Sequence, residues 1–143
     1  MQHPSGDENL PPDYQFNTHS GEVWAVEVTE LVSQKAIEWT KQGQNVVALW
    51  PDDELTSKFR EIVSRKDTPK KVAGGPYDRY LLLVHVDEAM LPADRLSTVL
   101  GTITFETSLI DEIYVLVSYD PVTQRNPLLR LAAQKRYRSL PDV

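Results

Sequence analysis

The feature that most restricts the fold is a pair of β-forming runs, Asp13-Tyr14-Gln15-Phe16-Asn17-Thr18 and Glu22 to Leu31, separated only by His19-Ser20-Gly21. Both runs are rich in β-branched and aromatic residues, and a three-residue connection ending in glycine suits a hairpin with that glycine in the left-handed region. Pairing Thr18 with Glu22 sets the register, so that Phe16 faces Trp24 and Asp13 faces Glu27. Opposed residues have Cβ atoms roughly 4.5–5.5 Å apart, close enough for two carboxylates to share one divalent cation. Strand alternation puts Val23, Ala25, Glu27 and Thr29 on one face and Trp24, Val26, Val28 and Glu30 on the other. A carboxylate among apolar neighbours needs a cation, a hydrogen-bonding partner or solvent. The same residues also suit an ordinary half-exposed hairpin with one acid on each strand.

The rest of the chain alternates between helical and strand patterns. Ser33 to about Gln42 suits a helix stopped by Gly43, and Asn45 to Trp50 is a short apolar run compatible with strand or helix. Asp52 or Asp53 is placed to cap a helix in which Leu55, Phe59, Ile62 and Val63 recur at helical spacing as far as about Lys66. A loop follows from Asp67 to Pro76, with glycines and prolines at its end. Tyr80 to Val86 is near-continuously apolar and reads as a strand covered on both faces. Pro92 to about Leu100 suits a short helix with Leu96, Val99 and Leu100 facing inward, and Ile113 to Tyr119 a second buried strand closed by Asp120-Pro121. Strand, helix, strand implies a parallel pair. The expected class is therefore α/β, a mixed sheet with an N-terminal antiparallel hairpin and a β-α-β parallel half, flanked by helices. Residues 1–10 are expected to be a flexible N-terminal segment and residues 11–140 a single domain.

Composition narrows the function. With 143 residues and 41% hydrophobic content the chain can bury one real core. No apolar stretch is long enough to cross a membrane and the N-terminus does not resemble a signal peptide, so no membrane is expected and a cytoplasmic location is. Without cysteine there is no disulfide, thiolate nucleophile or cysteine-bound zinc. The net charge of −6 gives no general pull toward nucleic acid. Two local basic runs stand against it: Arg65, Lys66, Lys70 and Lys71, and then Arg125, Arg130, Lys135, Arg136 and Arg138. Either can contact phosphates, although a solvated basic face is the commoner meaning of such runs.

Pro12-Asp13, the hairpin, Glu27-Val28-Thr29, a helix and the strand from Tyr80 to Val86 together resemble the PD-(D/E)xK nuclease superfamily, from about residue 11 to residue 119. That resemblance implies a restriction-endonuclease-like fold and metal-dependent hydrolysis of phosphodiesters in nucleic acid. In its terms Asp13 and Glu27 hold magnesium or manganese, with the carbonyl of Val28 as a further ligand. The chemistry needs cationic charge on the phosphoryl oxygens and a deprotonated water in line with the leaving group. Thr29 stands where the motif has lysine, and a hydroxyl can orient a water but supplies no positive charge. Lysines displaced to a neighbouring helix occur in the superfamily, which makes Lys35 the expected substitute, against the plainer reading of an exposed helix residue. Family members usually carry a further acid on a helix before the hairpin. Here Pro4, Gly6 and Pro11 discourage such a helix, leaving Asp7 or Glu8 as stand-ins or the element missing. Partner expectations are DNA or RNA, reached through Arg125, Arg130, Lys135, Arg136 and Arg138, with a homodimer as the candidate assembly.

Other chemistry is thinner. His85 and Asp87 share a strand face and, with Glu88, form a candidate metal or substrate group at a strand end, although such residues are more often structural or solvated. Gly74-Gly75 lacks the spacing of a phosphate loop, and Ser108 and Ser118 lack the glycine elbow of a serine hydrolase. Trp24, Trp39 and Trp50 read as core or rim residues. Three functions remain open: a nuclease, a catalytically inactive relative that binds protein or nucleic acid, and an unrelated small α/β domain.

Overall fold

The computed structural model describes residues 12–32, 41–43, 49–68, 76–88, 90–118 and 124–136. Strands β1 (Tyr14–Asn17) and β2 (Val23–Leu31) form the expected hairpin. Tyr14 pairs with Val26 and Phe16 with Trp24, whose rings lie 5.6 Å apart. Gly21 closes the turn at φ 87°, a backbone state that L side chains rarely adopt. Its N–H donates to the Thr18 carbonyl at 3.0 Å, and the Thr18 N–H donates to the Glu22 carbonyl at 2.8 Å.

Helix α1 (Asp52–Lys66) buries Leu55, Phe59, Ile62 and Val63, the stripe its spacing predicts. Its start differs from expectation. Pro51 occupies the N-cap with no side-chain hydrogen bond, and Asp52, Asp53 and Glu54 lie in the first turn, where the positive end of the helix dipole favours their charge. The same dipole favours Arg65 and Lys66 in the last turn. Lys41 is helical and Gly43 follows at φ 84°, as a glycine stop requires. Residues 33–40 of the proposed helix, Trp39 included, lie outside the described residues, as do Asn45 to Ala48, Gly74-Gly75 and Asp120-Pro121.

Strand β3 (Arg79–Val86), helix α2 (Ala93–Leu100), and strands β4 (Thr104–Thr107), β5 (Glu112–Val117) and β6 (Leu128–Lys135) complete the described elements. The six-stranded sheet has the order β1-β2-β3-β5-β6-β4. β2, β3 and β5 run parallel, β6 is antiparallel to β5, and β4 pairs in parallel with β6. The protein is thus α/β with a mixed sheet, an antiparallel hairpin and a parallel centre. β4 and β6 are additions to the sequence reading, and Arg130 and Lys135 of the expected basic run lie on β6.

One core joins Ala25, Leu31, Tyr80, Leu82, Val84, Val86, Ile113, Val115 and Val117 of the sheet to α1 and to Leu96 and Leu100 of α2. These strand residues alternate onto a single face. The expectation that β3 is covered on both faces holds in part: Tyr80, Leu82, Val84 and Val86 are buried on the helix side, whereas on the reverse side Leu81 is buried and Leu83 and His85 are half-buried. Among the described residues no helix is long and apolar enough to cross a membrane.

Candidate functional site

Glu27 projects from the middle of β2 to the helix-covered face, between the levels of Ala25 and Thr29. Its side chain is only 8% exposed, so its charge requires a partner. Lys66, 14% exposed in the last turn of α1, places Nζ 3.6 Å from Glu27 Oε1. That is ion-pair distance, longer than a hydrogen bond.

The end of α1 is held by two further contacts. Tyr80, at the start of β3, donates its hydroxyl to the Lys66 carbonyl at 2.9 Å. Burial pushes the Tyr80 phenol well above its ordinary range, and the negative charges of Glu27, Asp67 and Asp13 push it the same way. The phenol therefore stays protonated and remains a donor. Asp67, the residue after α1, accepts from the backbone N–H groups of Ser108 at 2.7 Å, Leu109 at 2.7 Å and Ile110 at 3.1 Å. A carboxylate accepting several N–H bonds ties the helix end to the loop before β5. Together these contacts aim Lys66 back at β2.

Asp13 lies one residue before β1, where the register places it beside Glu27. Its Oδ2 accepts from the Val28 N–H at 2.8 Å, so the side chain extends the hairpin ladder beyond the last paired strand residues, Tyr14 and Val26. A strand residue projects its N–H and C=O toward the same neighbour, so the Val28 carbonyl also looks past the end of β1 toward Asp13. Asp13, Glu27 and Val28 thus offer hard oxygens in one neighbourhood, the donor type that magnesium and manganese take. Among the described residues, however, no group of three or more His, Cys, Asp or Glu could hold a metal ion. A site here would use two carboxylates and a carbonyl, with water or substrate oxygens completing the shell.

Thr29 is half-buried on the Glu27 face, two residues further along β2. Lys35, Asp7 and Glu8 lie outside the described residues. The cation beside Glu27 is Lys66, which the sequence places at the end of a helix and in a basic run but not at the site. Of the C-terminal basic run, Arg130 pairs with Glu112 at 2.9 Å, Lys135 with Asp111 at 2.8 Å, and Arg136, just after β6, with Glu106. Arg125 is exposed, and Arg138, Lys70 and Lys71 lie outside the described residues. Those ion pairs neutralise much of the charge available to a phosphate backbone.

The proposed pairing of His85 with Asp87 is not what the structure places together. His85 instead contacts Glu30 of β2 through Nδ1 at 3.2 Å and Ser118 through Nε2 at 3.1 Å. Burial is the main cause that raises the Glu88 carboxyl above its usual range, and neighbouring Asp87 adds to it.

Compared with protein-family models, curated proteins and solved structures, the chain has no match.

Proposed function

We propose that Asp13, Glu27 and Lys66 form the centre of a divalent-metal-dependent phosphodiesterase of the PD-(D/E)xK type, built on a restriction-endonuclease-like fold and acting on DNA or RNA. The observation that carries this reading is the ammonium of Lys66 3.6 Å from the buried Glu27 carboxylate. It supplies from a neighbouring helix the charge that Thr29 cannot. Asp13 and Glu27, with the Val28 carbonyl, would hold magnesium or manganese. Such an ion, when bound, supplies positive charge to the phosphoryl oxygens and makes bound water more acidic. In this arrangement Lys66 orients the attacking water and opposes the charge that develops on the phosphoryl group. Tyr80 and Asp67 are positioning residues, because they fix the helix end that carries Lys66. Glu27 would turn part of its charge from Lys66 to the ion, leaving the Lys66 ammonium available to the substrate.

The test is calorimetric titration of manganese into wild type, Asp13→Ala and Glu27→Ala, alongside cleavage assays on DNA and RNA. Saturable binding by wild type that is lost in both variants, with metal-dependent cleavage lost in parallel, is expected. Absence of binding and of cleavage by wild type would refute the proposal.

A second reading, an inactive relative serving as a protein- or nucleic-acid-binding module, has its own support. Asp78 accepts from the Val23 N–H at 2.6 Å and Asp111 from the Tyr80 N–H at 2.8 Å, so this fold repeatedly uses aspartate to extend a strand ladder. Asp13 bonded to Val28 fits that device without any metal. On this reading Asp13→Ala leaves partner binding intact and wild type cuts nothing.

A further inference from the structure

On the sheet face opposite α1, three polar side chains meet at the carboxyl ends of three adjacent parallel strands. Glu30 of β2 is in register with His85 of β3. Ser118 follows β5 directly, and its N–H continues the ladder by donating to the Val86 carbonyl at 2.9 Å. His85 sits between them, with Nδ1 3.2 Å from Glu30 Oε1 and Nε2 3.1 Å from Ser118 Oγ.

The tautomer of His85 sets the direction of these bonds. An ionised glutamate only accepts, so His85 Nδ1 carries the proton and donates it to Glu30. When the ring is the neutral Nδ1–H tautomer, Nε2 is an acceptor and the Ser118 hydroxyl donates to it. That is the polarity of a serine, histidine and acid relay, in which the acid selects the histidine tautomer and the histidine takes the hydroxyl proton. An open cleft of about 510 Å³ is lined by Glu30 and His85 of this group together with Val28, Thr29, Leu83 and Leu116. The apolar side chains of Val28, Leu83 and Leu116 suit the hydrocarbon part of an ester.

We propose that Ser118 is a nucleophile for apolar carboxylic esters, activated by His85, with Glu30 as the positioning residue. Ser118 Oγ bonds to the acyl carbon while its proton passes to His85 Nε2. The ester C–O bond then breaks, and the alcohol leaves with that proton. Water repeats the sequence on the acyl-serine, releasing the carboxylic acid and restoring the hydroxyl. This site is independent of the Glu27 centre, which lies on the other face of β2.

The experiment treats the full chain with a fluorophosphonate serine probe, locates the adduct by peptide mass spectrometry, and follows hydrolysis of p-nitrophenyl butyrate. Expected results are an adduct on Ser118 in wild type, ester hydrolysis lost in Ser118→Ala, and labelling slowed at least about 100-fold in His85→Asn. Glu30 is solvent-exposed, so Glu30→Gln keeps the fold and is expected to slow labelling at least about tenfold even if His85→Asn misfolds. No adduct on Ser118 in wild type, or unchanged labelling in Glu30→Gln, would overturn the proposal and leave the three residues as a brace across the strand ends.

Discussion

The ammonium of Lys66 and the carboxylate of Glu27 form an ion pair between the last turn of α1 and the middle of β2, with both side chains largely withdrawn from water. Removing one partner leaves the other charge poorly solvated, whereas removing both does not. Lys66→Met and Glu27→Gln are each expected to destabilise the fold by about 1–3 kcal/mol. The double variant should lose less than the sum of the two, and urea denaturation of all four proteins in a double-mutant cycle measures the difference.

Asp67 is expected to matter as much as Lys66 itself. Its carboxylate holds the N–H groups of Ser108, Leu109 and Ile110, so Asp67→Ala releases the loop before β5 and the end of α1 together. A loss of about 1.5–3 kcal/mol is predicted, the range for hydrogen bonds to a charged group. Hydrogen exchange should show reduced protection at Ser108 to Ile110.

Tyr80 gives a signature at alkaline pH. Burial and nearby carboxylates raise its phenol above the ordinary value of 10.0, so the unfolded chain releases that proton before the folded chain does. A raised folded-state value contributes stability that is complete below the unfolded value and is lost as pH climbs beyond it. Wild type should therefore lose stability more steeply above about pH 10 than Tyr80→Phe does. At neutral pH the same variant is expected to lose about 1 kcal/mol, the worth of its hydrogen bond to Lys66. Denaturation midpoints across pH 7–11 give both numbers.

The hairpin register depends on Gly21. A Cβ added there meets nothing within 4 Å, so Gly21→Ala carries only the penalty of an L residue at φ 87°. That penalty is about 1–2 kcal/mol. Thermal unfolding monitored by circular dichroism should show a lowered midpoint with the native spectrum retained.

Much of this fold can be read from residue types alone, because the signals are local. Gly21 and the alternation around it specify the hairpin, the spacing of Leu55, Phe59, Ile62 and Val63 specifies α1, and the apolar runs specify β3 and β5. β4 is four residues long, and β6 interleaves Arg130, Gln134 and Lys135 with apolar residues, so neither run carries a strong strand signature. β6 is stabilised by pairing with β5 and by ion pairs to Glu112 and Asp111, which are not local in sequence. The site divides in the same way. Hairpin arithmetic brings Asp13 toward Glu27, but Lys66 reaches Glu27 only because α1 packs back across the sheet with its last turn near the start of β3. A lysine in a basic run gives no sign of that. Nor does the sequence show that Glu30, His85 and Ser118 share a sheet face, because the register of three parallel strands is set by tertiary packing.

The account stands on Lys66 acting at the Glu27 centre, and the most direct measurement is the initial rate of cleavage of labelled DNA and RNA in magnesium or manganese by wild type and Lys66→Met. Metal-dependent cleavage by wild type, reduced about 10²–10⁴-fold in the variant with metal binding retained, is the predicted result. Equal rates for the two proteins, or no cleavage by wild type with either metal, would contradict it.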